Sequence, residues 1–148
     1  MNRAKLLHLC SGNTDAVDFI ESMYAFCVVW DDAVDRDKEA VPEKINSAMM
    51  WSLFGLHDNQ FYRANALVLR AAMAQSIASW MIANKFEKSK DSSLVEQAYF
   101  MRCSPYDVFS TVVLLASGFE KQLEAVEFFR SLAPEDSLNN FMFECLGE

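Results

Sequence analysis

Met23-Tyr24-Ala25-Phe26-Cys27-Val28-Val29-Trp30 runs directly into Asp31-Asp32-Ala33-Val34-Asp35. Wound as a helix, the first stretch is apolar on every side, which is the pattern of a helix surrounded by other helices. The reading predicts an all-α bundle with the interior of this segment buried. Upstream, Ser11-Gly12-Asn13-Thr14 interrupts a short helix over Ala4–Cys10 and offers an N-cap for a long one from Asp15 to Asp35. At 1.5 Å per residue that helix is roughly 30 Å long.

Downstream, Pro42 suits the first turn of a third helix that Gly55 ends, and His57-Asp58-Asn59 opens a fourth that runs to Glu87. In the fourth, Ala64, Ala66, Ala71, Ala72, Ala74, Ala78 and Ala83 stand among Leu67, Val68, Met73, Ile77 and Met81. Small side chains let neighbouring helices approach closely, so the fourth helix is placed at the centre of the bundle beside the Asp15–Asp35 helix. Asp91-Ser92-Ser93, with Glu96 three residues after Ser93, reads as a capping box for a fifth helix. Ser104-Pro105-Tyr106-Asp107 opens a sixth, which Gly118 stops or bends. Glu120–Leu132 continues as a helix up to Pro134, and Ser137–Leu146 forms a last short one. Residues 1–148 carry no Gly/Ser linker or repeat, so they form a single all-helical domain of about six or seven helices.

Composition agrees with that class. Twelve Phe, three Trp and eight Met raise the hydrophobic share to 52%, while four Gly and three Pro leave little turn chemistry. One small domain does not hide that much apolar surface, which predicts a homo-oligomer or a protein partner. A net charge of −8 lacks the basic stripe that phosphate neutralisation needs, so no nucleic acid is expected. Cys10, Cys27, Cys103 and Cys145 show no C-x-x-C spacing and read as reduced, buried thiols of a cytoplasmic protein. The apolar patch after Met1 is too brief for a signal segment, and no membrane span is expected.

The carboxylates after Trp30 carry the functional signal. Helical spacing sets Asp31 and Asp35 at i,i+4 and Asp32 and Asp35 at i,i+3, so the three converge at the negative end of a helix dipole. Like charges held that close are relieved by a cation, and Mg²⁺ prefers hard oxygen ligands shared with substrate phosphates. Two other readings are open: Asp31 or Asp32 caps the following segment, or the stretch is a solvated end neutralised by Arg36 and Lys38.

Phe26–Asp37 resembles the first aspartate-rich motif of the class I isoprenoid (terpenoid) synthases, in which an apolar helix ends in D-D-x-x-D facing a central cavity. The resemblance implies an all-helical fold, metal roles for Asp31, Asp32 and Asp35, Mg²⁺ as cofactor and a diphosphate-containing small molecule as ligand. The family's second metal motif does not occur downstream: Asp107-Val108-Phe109-Ser110 has Leu114 where its last acidic residue belongs. The chain is also shorter than typical members, so a reduced, non-catalytic relative fits the same residues.

Arg63 and Arg70, seven residues apart on one helix face, and Arg102 are candidate phosphate contacts or surface ion-pair partners. Asp18 and Glu21 extend the acidic stripe and resemble, less closely, the E-x-x-E/D sites of all-α nucleoside-triphosphate pyrophosphohydrolases. His8 and His57 have no partner at metal spacing, and there is no Gly-rich phosphate loop. Two functions therefore stand side by side. One is a Mg²⁺-dependent diphosphate site on Asp31, Asp32 and Asp35; the other is a non-catalytic helical oligomerisation or protein-interaction module without a metal.

Overall fold

The computed structural model describes residues 1–35, 41–132 and 137–147, with the side chain of Asp35 outside the described set. The expected roles of Arg36, Lys38 and Pro134 lie outside the described residues. Of the described residues 88% are helical and none lies in a strand. Its elements are α1 (Arg3–Leu9), α2 (Thr14–Asp35), α3 (Pro42–Met50), a π-helical turn (Trp51–Gly55), the single turn α4 (Leu56–Asp58), α5 (Gln60–Glu87), α6 (Ser92–Met101), α7 (Ser104–Ser117), α8 (Phe119–Leu132) and α9 (Leu138–Leu146). Those of nine residues or more match the six or seven expected.

Local chemistry sets most boundaries. Asn13 Oδ1 accepts the Ala16 N–H at 3.0 Å to start α2, and Gly118, at φ 87°, stops α7. Three expectations are corrected. The cap of α6 is Asp91, whose Oδ1 accepts from Ser93 and Leu94, so Ser93 and Glu96 do not form a capping box. Ser104 caps nothing; its hydroxyl donates to the Ser76 carbonyl at 3.0 Å and ties the start of α7 to the middle of α5. Gly55 does not end the third helix. It sits inside the π-helical turn, where a Cβ would lie 3.1 Å from Trp51 Cδ1, so its missing side chain makes room for that indole.

Packing departs further from expectation. The most enclosed helix is α7, which buries Ser104, Val108, Phe109, Ser110, Val112 and Val113 between α5, α2 and α8. The first half of α2 is buried through Val17, Phe19, Ile20 and Met23, but Tyr24–Trp30 is half-buried or exposed, against the expected burial. The reason is that apolar residues come together in two separate cores. The larger joins α1, α2, the start of α5, α7 and α8; the smaller joins Ala83 of α5, Val95 and Ala98 of α6 and Phe141 of α9. Among the described residues the long element reaching both is α5, 28 residues with a kink at Asn65 (φ −119°, ψ 17°). An 18-residue window of α5 has mean hydropathy 1.4 and is 17% buried, enough by length and composition to cross a membrane. Core helices share that length and composition but are mostly buried, whereas α5 packs on α6 and α7 along one side and leaves much of its surface exposed.

The junction of α5 with α2 rests on Asn59. Its Oδ1 accepts the Tyr62 N–H at 2.8 Å, and its Nδ2 donates to the Asp15 carbonyl at 2.8 Å. Asn59→Ala removes a cap and an inter-helix hydrogen bond together, and should cost about 1–3 kcal/mol in urea unfolding. A change within measurement error would show that neither bond contributes to the native state.

Candidate functional site

Between the two cores lies an open cavity of about 860 Å³. Its wall is aromatic because the second half of α2, left uncovered by either core, faces the π-helical turn and the middle of α5. Ring follows ring from the interior outward: Tyr62 stacks on Phe19 (5.9 Å between centroids), Phe19 meets Trp51 (6.3 Å), and Trp51 meets Phe26 (5.6 Å). Phe26 then meets Trp30 (5.9 Å), and Trp30 meets Trp80 (5.1 Å). Phe26, Trp30, Trp51 and Trp80 all line the cavity, with Met73 and Ile77 of α5 and Tyr99 of α6. Tilted pairs at these separations hold one another's orientation, so the wall is pre-formed. The π-helical turn aims Trp51 inward, a use of irregular helix that recurs at binding sites.

Charge gathers at one end. Asp31 Oδ1 accepts from Trp80 Nε1 at 3.2 Å and from Arg102 at 3.5 Å, and Arg102 also donates to Glu87 at 3.1 Å. The same guanidinium lies 5.9 Å from the Phe141 ring centroid. Arg102 thereby links α2, α5 and α9 from the end of α6, and it is the candidate cation that the structure brings to Asp31. Asp32 and Glu144 also line the cavity. Asp31, Asp32, Glu87 and Glu144 thus share the lining with Arg102, and Asp32, Glu87 and Arg102 each have a further partner.

The other expected site residues are placed elsewhere. Arg63 and Arg70 are exposed on α5 and do not line the cavity. Asp18 and Glu21 pair with Arg3 of α1, the former at 2.8 Å, so the acidic stripe is divided between two surroundings. Among the described residues no group of three or more His, Cys, Asp or Glu side chains is arranged to hold a metal ion. Asp31 and Asp32 do not complete a Mg²⁺ donor set by themselves, and the Asp35 side chain lies outside the described residues. Glu87, Trp80 and the aromatic wall escaped sequence reading. The signal that points to them is that the apolar stretch of α2 carries Phe26 and Trp30 at i,i+4, a spacing that sets two rings on one helix face.

Compared with family models, curated proteins and solved structures, the chain matched none.

Three thiols, Cys27, Cys103 and Cys145, also line the cavity. Burial pushes Cys27 up to about 11, with the Asp31 charge adding to the effect, and burial alone pushes Cys10 of the larger core up to about 11. Both are therefore protonated near neutrality and are poor nucleophiles there. A thiol that ionises near 9 in the unfolded chain and near 11 in the folded one favours the folded state below pH 9, and that contribution is lost as pH rises to about 11. Thermal midpoints should fall across this window, and Cys10→Ala/Cys27→Ala should show a shallower fall. Parallel pH profiles for the two proteins would contradict the assignment.

Proposed function

We propose that the protein binds an elongated, mostly apolar small molecule in the cavity between α2, α5 and α6, with a positively charged end group at the acidic end. The observation that carries this reading is the pairing of an aromatic-lined cavity of about 860 Å³ with the carboxylates of Asp31, Asp32, Glu87 and Glu144 in its lining, of which Asp31 and Glu87 meet at Arg102. Binding sites for small organic ligands are concave, mainly apolar and marked by a few convergent polar groups, with volumes of roughly 300–1,000 Å³. A cationic head would be held by the carboxylates and by the faces of Trp30 and Trp80, whose quadrupoles attract positive charge.

A second reading is favoured by the position of Asp31 and Asp32 beside an apolar cavity in an all-helical protein. In it, the positive charge is supplied by Mg²⁺, held by Asp31, Asp32 and Asp35 of α2 together with the diphosphate of an apolar ligand, and Arg102 contacts the phosphate. This is the arrangement that the isoprenoid-synthase resemblance implies. It requires Asp31 to give up its bond with Arg102.

All three tryptophans of the chain line the cavity, so their fluorescence reports its occupation directly. Octylamine should shift the emission saturably and raise the thermal midpoint, since a ligand of the native state stabilises it. Asp31→Asn/Asp32→Asn should weaken octylamine by about tenfold, or about 1.4 kcal/mol, while leaving octanol unaffected. A response to octyl diphosphate that needs Mg²⁺ and disappears in the same variant would select the second reading. No saturable response to any of these ligands would refute cavity binding altogether.

A further inference from the structure

The side of α5 that faces away from the two cores is also apolar, and its residues follow a heptad. Beyond a kink at Asn65 (φ −119°, ψ 17°), Leu67, Ala71, Ala74, Ala78 and Met81 are spaced alternately four and three apart, and every one is exposed, Leu67 to 88% and Met81 to 58%. Such spacing is the a/d seam of a coiled coil, in which small residues admit a close partner helix. The opposite seam, Tyr62, Leu69, Ser76 and Ala83, is the one buried in the bundle. A helix apolar on two sides and covered on one lacks a partner for the other.

Charge identifies that partner. In a chain of net charge −8, Gln60–Phe86 contains no Asp or Glu; Arg70 occupies a g position beside the open seam, and Arg63 stands seven residues earlier, just before the kink at Asn65. Pairing α5 with its own copy does not satisfy them: an antiparallel pair sets basic edge on basic edge, and a parallel pair meets Val68, Gln75 and Ile82 at e. The complementary surface is on α8. There Phe119, Leu123 and Val126 are exposed at spacings of four and three, and Glu120 and Glu127 follow at the two e positions. Among the described residues, none of Arg63, Arg70, Glu120 and Glu127 has an ion pair, and both pairs have seven-residue spacing. Within one copy α7 packs between α5 and α8 and holds the two seams apart.

We infer that copies of this chain associate head to tail, the open α5 seam of one receiving the α8 seam of the next in parallel, with Arg63 and Arg70 against Glu120 and Glu127. Such a contact uses different surfaces on its two sides, so it propagates into a chain or closes into a ring. Sedimentation velocity over a concentration series tests it. Wild type should grow beyond the mass of a dimer. Leu67→Glu and Leu123→Glu, both at exposed positions and checked for retained helicity by circular dichroism, should each stay monomeric. An equimolar mixture of the two should give dimers and nothing larger, because each supplies the seam that the other has lost. Arg63→Glu/Arg70→Glu should weaken assembly, and adding Glu120→Arg/Glu127→Arg in the same chain should restore it. Wild type that stays monomeric, or Leu123→Glu that assembles like wild type, would overturn the inference. So would a monomer that floats with phosphatidylserine vesicles, an outcome that assigns the α5 seam to a lipid surface.

Discussion

The structure depends on one helix serving two cores. Near its start α5 supplies Phe61, Tyr62 and Leu69 to the packing of α1, α2, α7 and α8, and near its end it supplies Ala83 to the packing of α6 and α9. Apolar burial contributes on the order of 25 cal/mol per Å², so each end of α5 is held strongly, while the stretch between is held by fewer contacts. There the helix needs something narrow, and Ser76 provides it: its carbonyl and hydroxyl meet Ser104 at 3.0 and 3.3 Å. This junction fixes where α7 leaves α5, and the space on the other side of it is the cavity.

That arrangement explains the state of Asp31. A carboxylate at the C-terminal end of a helix meets an unfavourable dipole. Here it is relieved by a guanidinium and an indole N–H arriving from α6 and α5. Arg102 in turn satisfies Glu87, whose side chain is 17% exposed. A half-buried cation shared between carboxylates on different helices sets their relative positions as much as it stabilises them. The polar end of the cavity is therefore as pre-organised as its aromatic wall.

Much of this was legible in the sequence. The helix starts at Asn13, Pro42, Asn59, Asp91 and Ser137 follow from side chains that accept a first-turn N–H or from proline geometry, and those are local properties. The Asp31–Asp32 pair was visible as an isolated acidic cluster. What the sequence concealed was tertiary. Gly55 reads as a stop because glycine weakens helices, yet here it is needed for the space that Trp51 occupies. Met23–Trp30 reads as fully buried because hydrophobicity does not distinguish a helix inside a core from one lining a cavity. Arg102 and Asp31 lie 71 residues apart, and no local pattern announces that pairing.

The second half of α2 faces an open cavity rather than a closed core. Nitrogen-15 labelling of the tryptophans gives three indole N–H signals, for Trp30, Trp51 and Trp80, each at the cavity wall. Titration with octylamine, followed by proton–nitrogen correlation spectra, should move all three together and saturably, with Trp80 moving most because its N–H bonds to Asp31. Three indole signals that stay fixed through the titration would contradict the account and make the cavity a packing gap between two cores.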